Sequence, residues 1–159
     1  MAQRKQSGFT LIELVMVILL LSILATVASV NFIDFGTDAR IAVTKDELTS
    51  LKRGIAGDSR VSAAGAYTFP GYEQDMLGLP NALVDLVTNP ATGDKTKDYD
   101  PLTRKGWRGP YVDDSAASDY SKDAWGVAYI YDKANRKIRS GGPNKKDDAG
   151  ASDDLEIIF

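Results

Sequence analysis

The residues with the most chemistry to offer lie near the C-terminus, in a glycine-rich stretch from 140 to 154 that we call the acidic loop. It holds four carboxylates and one carboxamide, contributed by Asp147, Asp148, Asp153, Asp154 and Asn144. Hard oxygen donors on a flexible loop suit Ca²⁺ and suit softer transition metals poorly. The same composition also fits a solvated loop, because Asp and Gly are common turn residues.

A second chemical feature is one acid, Glu13, near the start of an otherwise uncharged apolar run from Phe9 to Ile33. About 20 helical residues span a hydrocarbon core of roughly 30 Å, so the run predicts a membrane-spanning helix. An ionised carboxylate in that region costs roughly 2.5–3.5 kcal/mol even on lenient insertion scales. Glu13 therefore needs a partner.

The chain itself supplies few candidates for that partner, since no basic residue lies between Lys5 and Arg40. A cut after Gly8 would place a new, positively charged amino terminus at Phe9. That group could pair with Glu13 of a neighbouring copy, and a pair that completes only between subunits is a device for assembly.

Composition narrows the function classes. The chain has 159 residues, no Cys, no His and a net charge of −3. The absence of Cys and His excludes thiol chemistry, His-based catalysis and the common transition-metal sites. The charge argues against a nucleic-acid partner. An enzyme would have only paired acids such as Asp113 and Asp114, which are usually solvated, so we predict that the protein is not an enzyme.

The charges that flank the apolar run predict its orientation. Arg4 and Lys5 precede it, whereas Asp34 and Asp38 follow it. The positive-inside rule then leaves the amino terminus in the cytoplasm and exports the rest after a single crossing.

Beyond the apolar run the helix is predicted to continue to about Ile55, with Gly54 and Gly57 marking where it frays or stops. Apolar residues recur there at helical spacing and form a face that can pack on a globular head: Ile41, Leu48, Leu51 and Ile55.

The rest of the chain predicts short elements. Leu83–Val87 reads as a short helix that ends at Asn89-Pro90. Residues 106–111 predict a turn that Trp107 and Tyr111 hold in place. These two rings fit a role in the hydrophobic core, as a core plug, better than a role as a sugar-binding platform. A β-hairpin follows at 127–139, and a last strand is anchored by Leu155 and Ile157. The segment from Gly57 to Gly78 suggests no function.

Lys5-Gln6-Ser7-Gly8 followed by Phe9-Thr10-Leu11-Ile12-Glu13 resembles the class III signal of type IV pilins and type II secretion pseudopilins. The resemblance implies that a prepilin peptidase cuts between Gly8 and Phe9 and methylates Phe9, and that Glu13 promotes subunit docking. A Sec signal peptide and a plain signal anchor are the alternatives that the residues leave open.

Two later stretches resemble the G-type major pseudopilins: Gly106-Trp107-Arg108-Gly109-Pro110-Tyr111 and the aromatic run from Asp123 to Tyr131. The acidic loop is similar to the calcium loop of that family. The resemblance implies four calcium ligands: the Gly141 carbonyl, Asn144 (where the family has Asp), Asp153 and Asp154. The loop is longer here than in the family, and Asp147 or Asp148 could compensate for that difference.

The sequence thus predicts an α+β, type IV pilin-like lollipop, in which a long N-terminal helix packs on a small antiparallel sheet with a C-terminal calcium loop. The predicted segments are a leader (1–8), a transmembrane half-helix (9–33), an amphipathic half-helix (34–57) and a periplasmic head (58–159).

The resemblance implies that the protein is a structural subunit of a type II secretion pseudopilus in the bacterial inner membrane, where its helical filament is expected to drive export of folded proteins. Its expected partners are further copies, minor pseudopilins, the assembly platform and the prepilin peptidase. The alternative is a type IV pilin that forms a surface fibre for adhesion or motility.

Overall fold

The structure is a computed structural model that describes residues 8–58, 62–63, 66–67, 69–90, 98–115 and 119–159. Of residues 27–34, 62–63 and 66–67 it describes the backbone alone. The chain divides into two compact units, Met1–Ala39 and Arg40–Phe159, which we call the N-terminal unit and the C-terminal unit.

Helix α1 spans Leu11–Ala56, which confirms the predicted long helix. Where side chains are described before residue 27, its apolar residues are almost all exposed. Within the described residues, no helix combines the length and the apolar character that a membrane crossing requires.

Gly57 ends α1 as predicted. Its backbone is left-handed, at φ 82°, and its N–H donates to the Arg53 carbonyl at 2.8 Å. Gly54 does not interrupt the helix, contrary to the prediction that it helps to end it. A side chain there would put its Cβ 2.7 Å from Cγ1 of Val112, so this glycine lets the following chain pack closely on α1.

The remaining elements are short. Strands β1 (Ser62–Ala63) and β2 (Ala66–Tyr67) form a two-stranded pair, and α2 spans Gly71–Met76. The predicted helix at 83–87 is a 3₁₀ turn, Leu83–Leu86, in which the buried Asp85 carboxylate accepts the N–H groups of Asn81 and Ala82.

The second sheet is antiparallel, with strand order β3-β4-β5, and consists of β3 (Ile130–Asp132), β4 (Lys137–Ser140) and β5 (Leu155–Ile158). β3 and β4 form the predicted hairpin, although β3 begins three residues later than the alternating pattern suggested. β5 pairs with β4 so that Ser140 lies opposite Leu155. The acidic loop is therefore the connection between these two strands.

The hydrophobic core belongs to the C-terminal unit and joins the second half of α1 to the sheet. Its buried apolar members are Leu48, Leu51, Ile55, Tyr72, Leu83, Leu86, Tyr111, Val112, Tyr129 and Ile138. Three of them are residues of the predicted amphipathic face. The described part of the chain therefore has the predicted α+β organisation, in which a long helix packs on a small antiparallel sheet.

Candidate functional site

Glu13 closes the first turn of α1. Its Oε2 accepts hydrogen bonds from the backbone N–H and the hydroxyl of Thr10, both at 2.8 Å, and the Thr10 Oγ1 accepts the Glu13 N–H at 3.3 Å. This reciprocal arrangement is a capping box, which satisfies N–H groups that a helix start leaves without partners. Glu13 thus has a local structural role in addition to the docking role that its charge predicts.

The predicted cleavage point lies just before this cap. Gly8 and Phe9 precede the helix, and Phe9 is 89% exposed. Residues 1–7 of the predicted leader lie outside the described residues. An exposed, non-helical peptide bond between Gly8 and Phe9 fits the access that a peptidase needs.

The acidic loop brings several of its predicted ligands together. Asn144 donates its backbone N–H to Oδ2 of Asp153 at 2.8 Å and its side-chain Nδ2 to Oδ1 at 2.6 Å. The same Nδ2 also donates to Oδ2 of Asp148 at 2.9 Å. The side-chain Oδ1 of Asn144 accepts the Lys146 N–H at 2.7 Å.

Asp154 lies beside these groups and has one satisfied and one unsatisfied oxygen. Its Oδ2 accepts the N–H groups of Asp148, at 2.9 Å, and Gly150, at 2.8 Å. Its Oδ1 is buried and has no hydrogen-bond partner among the described residues. A buried acceptor without a donor is costly, and a cation is one group that would satisfy it.

Two other predicted ligand residues are placed differently. Asp147 forms a two-point ion pair with Arg139, at 3.1 and 3.0 Å, which holds the pKa of Asp147 below its ordinary value. Gly141 is buried at the end of β4, where a Cβ would lie 2.7 Å from the Lys146 carbonyl oxygen. The loop backbone therefore folds closely on itself at Gly141.

A calcium site here could not rest on carboxylates alone. The described residues hold no group of three or more Asp, Glu, His or Cys side chains that could bind a metal ion. Backbone carbonyls and the Asn144 carboxamide would have to complete the six to eight oxygens that Ca²⁺ takes. Asp153 and Asp154 fit such a site, and the unsatisfied Oδ1 of Asp154 is the observation that favours it.

A buried polar chain anchors the acidic loop to the rest of the C-terminal unit. The Gly142 N–H donates to the Ser140 hydroxyl at 3.1 Å, and that hydroxyl donates to Oδ2 of Asp123 at 2.5 Å. Oδ1 of Asp123 accepts the N–H groups of Trp125 and Val127. Asp123 and Ser140 are both buried. Seventeen positions separate them, so no local motif could have revealed the pair.

Two contacts tie the hairpin region to α1. The Ala124 N–H donates to the hydroxyl of the buried Thr44 at 3.3 Å, and the Tyr129 hydroxyl donates to Oε2 of Glu47 at 2.6 Å. Burial raises the pKa of the Tyr129 phenol well above its ordinary value, and its hydrogen bond to Glu47 raises it further. Tyr129 is thus a neutral donor at physiological pH.

Residues 3–29 carry a prokaryotic N-terminal methylation motif. This motif is found in type IV pilin-like proteins. No curated protein and no solved structure matches the chain. The motif lies wholly within the N-terminal unit and covers none of the C-terminal unit.

The aromatic turn at 106–111 is part of the core. Trp107 and Tyr111 meet edge to face with ring centroids 6.0 Å apart, and the Trp107 Nε1 donates to the Asp85 carbonyl at 3.0 Å. Tyr111 is buried and donates its hydroxyl to Asp75 at 3.1 Å. The two rings are therefore engaged with the protein interior, as the core-plug interpretation predicts.

A surface cavity of about 370 Å³ lies beside this turn. Its lining includes Tyr72, Lys105 and the buried Asp75, whose carboxylate lies 3.2 Å from Nε of Arg108. Burial raises the pKa of Asp75, although Arg108 and Tyr111 oppose that shift. The carboxylate is thus already neutralised by protein groups. The acids considered for catalysis lie elsewhere: Asp113 is exposed and accepts both the N–H and the hydroxyl of Ser115.

Proposed function

We propose that this chain is a structural subunit of a type II secretion pseudopilus, which polymerises through its N-terminal helix in the inner membrane. The observation that carries the proposal is the methylation motif at residues 3–29, which overlaps the start of a long helix whose apolar side chains before residue 27 are almost all exposed. An exposed apolar helix needs lipid or other copies of itself to cover it.

Processing is the first part of the proposal. A prepilin peptidase cuts between Gly8 and Phe9 and methylates the new amino terminus. Co-expression of the full chain with such a peptidase should yield a product that begins at Phe9 and carries one added methyl group, as measured by mass spectrometry. A product that begins after Thr26 or Ala28 would instead identify a Sec signal peptide.

The second part is the role of the Glu13 carboxylate in docking, which can be separated from its role in the capping box. Glu13→Gln keeps a side chain that can cap the helix but removes the charge, whereas Thr10→Ala removes the cap and keeps the charge. We expect cross-linked multimers in membranes to be lost in Glu13→Gln and retained in Thr10→Ala. The opposite pattern would make capping, and not charge, the function of Glu13.

The choice of a secretion filament over a surface fibre rests on the C-terminal unit. The chain has no cysteine that could close its C-terminal region with a disulfide, and the acidic loop lies in that place. Deletion of the gene in the source cell should stop release of folded proteins into the medium. Loss of surface fibres or of motility, with secretion intact, would favour the type IV pilin alternative.

The acidic loop is the proposed Ca²⁺ site. Asp153, Asp154 and the Gly141 carbonyl would hold the ion, with Asp148 adjacent, and the Asn144 side chain would join them through its oxygen atom. When bound, calcium would supply positive charge between carboxylates and join the two ends of the loop. Calorimetric titration of the full chain in detergent should show saturable binding that the double change Asp153→Ala and Asp154→Ala removes. Absence of binding at millimolar calcium would reject the site.

A further inference from the structure

We infer that Asn144 closes the acidic loop without a metal, and that its carboxamide and a cation compete for the same carboxylates. This inference rests on the proposed calcium site and describes how that site is regulated. It starts from the position of Nδ2 of Asn144, which bridges Asp153 at 2.6 Å and Asp148 at 2.9 Å. The amide hydrogens thus lie between two negative groups, where a cation would also be attracted.

The orientation of the carboxamide is fixed by a further bond. Its Oδ1 accepts the Lys146 N–H at 2.7 Å, which leaves Nδ2 as the atom that faces the two carboxylates. Hydrogen-bond partners of this kind are the basis for assigning the oxygen and nitrogen of an amide. To present its oxygen to a cation, Asn144 would have to rotate and give up the bond from Lys146.

Every carboxylate of the loop has donors in this arrangement. Asp153 accepts hydrogen bonds from the backbone N–H and from Nδ2 of Asn144. Asp154 accepts hydrogen bonds from two backbone N–H groups through its Oδ2. Asp147 is neutralised by Arg139, and Asp148 accepts Nδ2 of Asn144. Hydrogen bonds to ionised acceptors are stronger than neutral ones, so these donors offset the repulsion between the acids.

The bonds from Asn144 also join distant parts of the loop. They connect position 144 to position 153, two residues before β5 begins, whereas most other side-chain bonds in this loop span two to six residues. Closing this longer connection constrains the start of β5. Loss of Asn144 should therefore loosen the strand as well as the loop.

Competition follows from the chemistry of Nδ2, which is a donor and not a ligand. A cation at Asp153 needs the oxygens that now accept from Asn144, so binding has to break those bonds. An Asp at 144 would have no amide to offer and would add a charge. Asn144 therefore makes order in the loop largely independent of calcium and lowers affinity for the ion.

The test compares thermal unfolding of the full chain in non-ionic detergent, with chelator and with millimolar calcium, for the wild type, Asn144→Ala and Asn144→Asp. Asn135→Ala is the matched control, since Asn135 also binds one carboxylate, that of Asp132, through its N–H and Nδ2. Tryptophan fluorescence reports unfolding, because both tryptophans lie in the C-terminal unit.

We expect Asn144→Ala to lower Tm in chelator by about 2–8 °C, which is the range for loss of roughly 1 kcal/mol in a domain of this size. Asn135→Ala should lower it less, because its bonds close a single tight turn. Asn144→Asp should have the lowest Tm in chelator and the largest rise with calcium.

The outcomes separate this inference from the proposed calcium site. Equal Tm values for Asn144→Ala and Asn135→Ala in chelator would overturn the metal-free closure, whatever calcium does. A calcium response in Asn144→Asp no larger than that of a calcium-responsive wild type would overturn the competition. A lowered Tm in Asn144→Ala, with no response to calcium in any variant, would support the closure by Asn144 and reject the calcium site.

Discussion

At the scale of single residues, the hydroxyl of Ser140 joins the acidic loop to the interior, because it donates to Asp123 and accepts from Gly142. Ser140→Ala leaves the buried Asp123 carboxylate with one donor fewer, and loss of a hydrogen bond to a buried charge costs about 1–3 kcal/mol. We expect a matching fall in Tm. Ser121→Ala is the control: its hydroxyl also donates to an aspartate, Asp119, at 2.6 Å, but the pair is exposed. Equal losses in the two variants would contradict a special role for the buried pair.

At the scale of elements, the hydrogen bonds that hold the end of β5 predict that thermal stability depends on pH. Arg136 donates to both carboxylate oxygens of Glu73 at 2.8 Å, and its Nε donates to the Phe159 carbonyl at 2.7 Å. The hydrogen bonds from Arg136 lower the pKa of Glu73. A lowered carboxyl pKa contributes stability above the unfolded value, about 4.3, and that contribution is lost as the pH falls through the folded pKa.

Glu73→Gln should therefore lower Tm at neutral pH, and the difference from the wild type should vanish under acid. The expected size is about 0.2–1 kcal/mol, since both side chains are partly exposed. Arg136→Lys should show a neutral-pH loss at least as large, because it keeps the charge but loses the two-point geometry and the Nε bond to the Phe159 carbonyl. Melting curves across pH 2.5–7, a range that extends roughly two units either side of the unfolded glutamate pKa, measure how the Tm difference changes with pH. A constant gap between Glu73→Gln and the wild type would contradict it.

The elements also show what the sequence could predict. The 46 residues of α1 and the β3–β4 hairpin follow from local periodicity and turn residues, which act between near neighbours. Thr10 and Glu13 also have the three-residue spacing of a capping box, although no capping box was predicted there. The link from Ser140 to Asp123 could not be predicted locally, since 17 positions separate the two residues. The resemblance placed Asn144 and Asp153 at one ion, but it did not predict the direct hydrogen bonds between them. Likewise, glycine is a residue type typical of helix ends, but the role of Gly54 is determined by the close packing of Val112 on α1.

At the scale of the whole molecule, the division at Ala39 and Arg40 predicts that the C-terminal unit folds by itself. Among the side chains that the structure describes, all the buried apolar residues of the core lie at or after Leu48. A chain of residues 40–159 should therefore unfold cooperatively without detergent, with a Tm within a few degrees of that of the full chain.

A chain of residues 57–159 lacks Leu48, Leu51 and Ile55, each at most 2% exposed. Loss of each such side chain costs about 2–5 kcal/mol, so the three losses together are comparable to the whole stability of a typical domain, about 5–15 kcal/mol. It should therefore show no cooperative transition by circular dichroism. If residues 57–159 fold as well as residues 40–159, the second half of α1 is not part of the core, and assembly could proceed without coupling to the C-terminal unit.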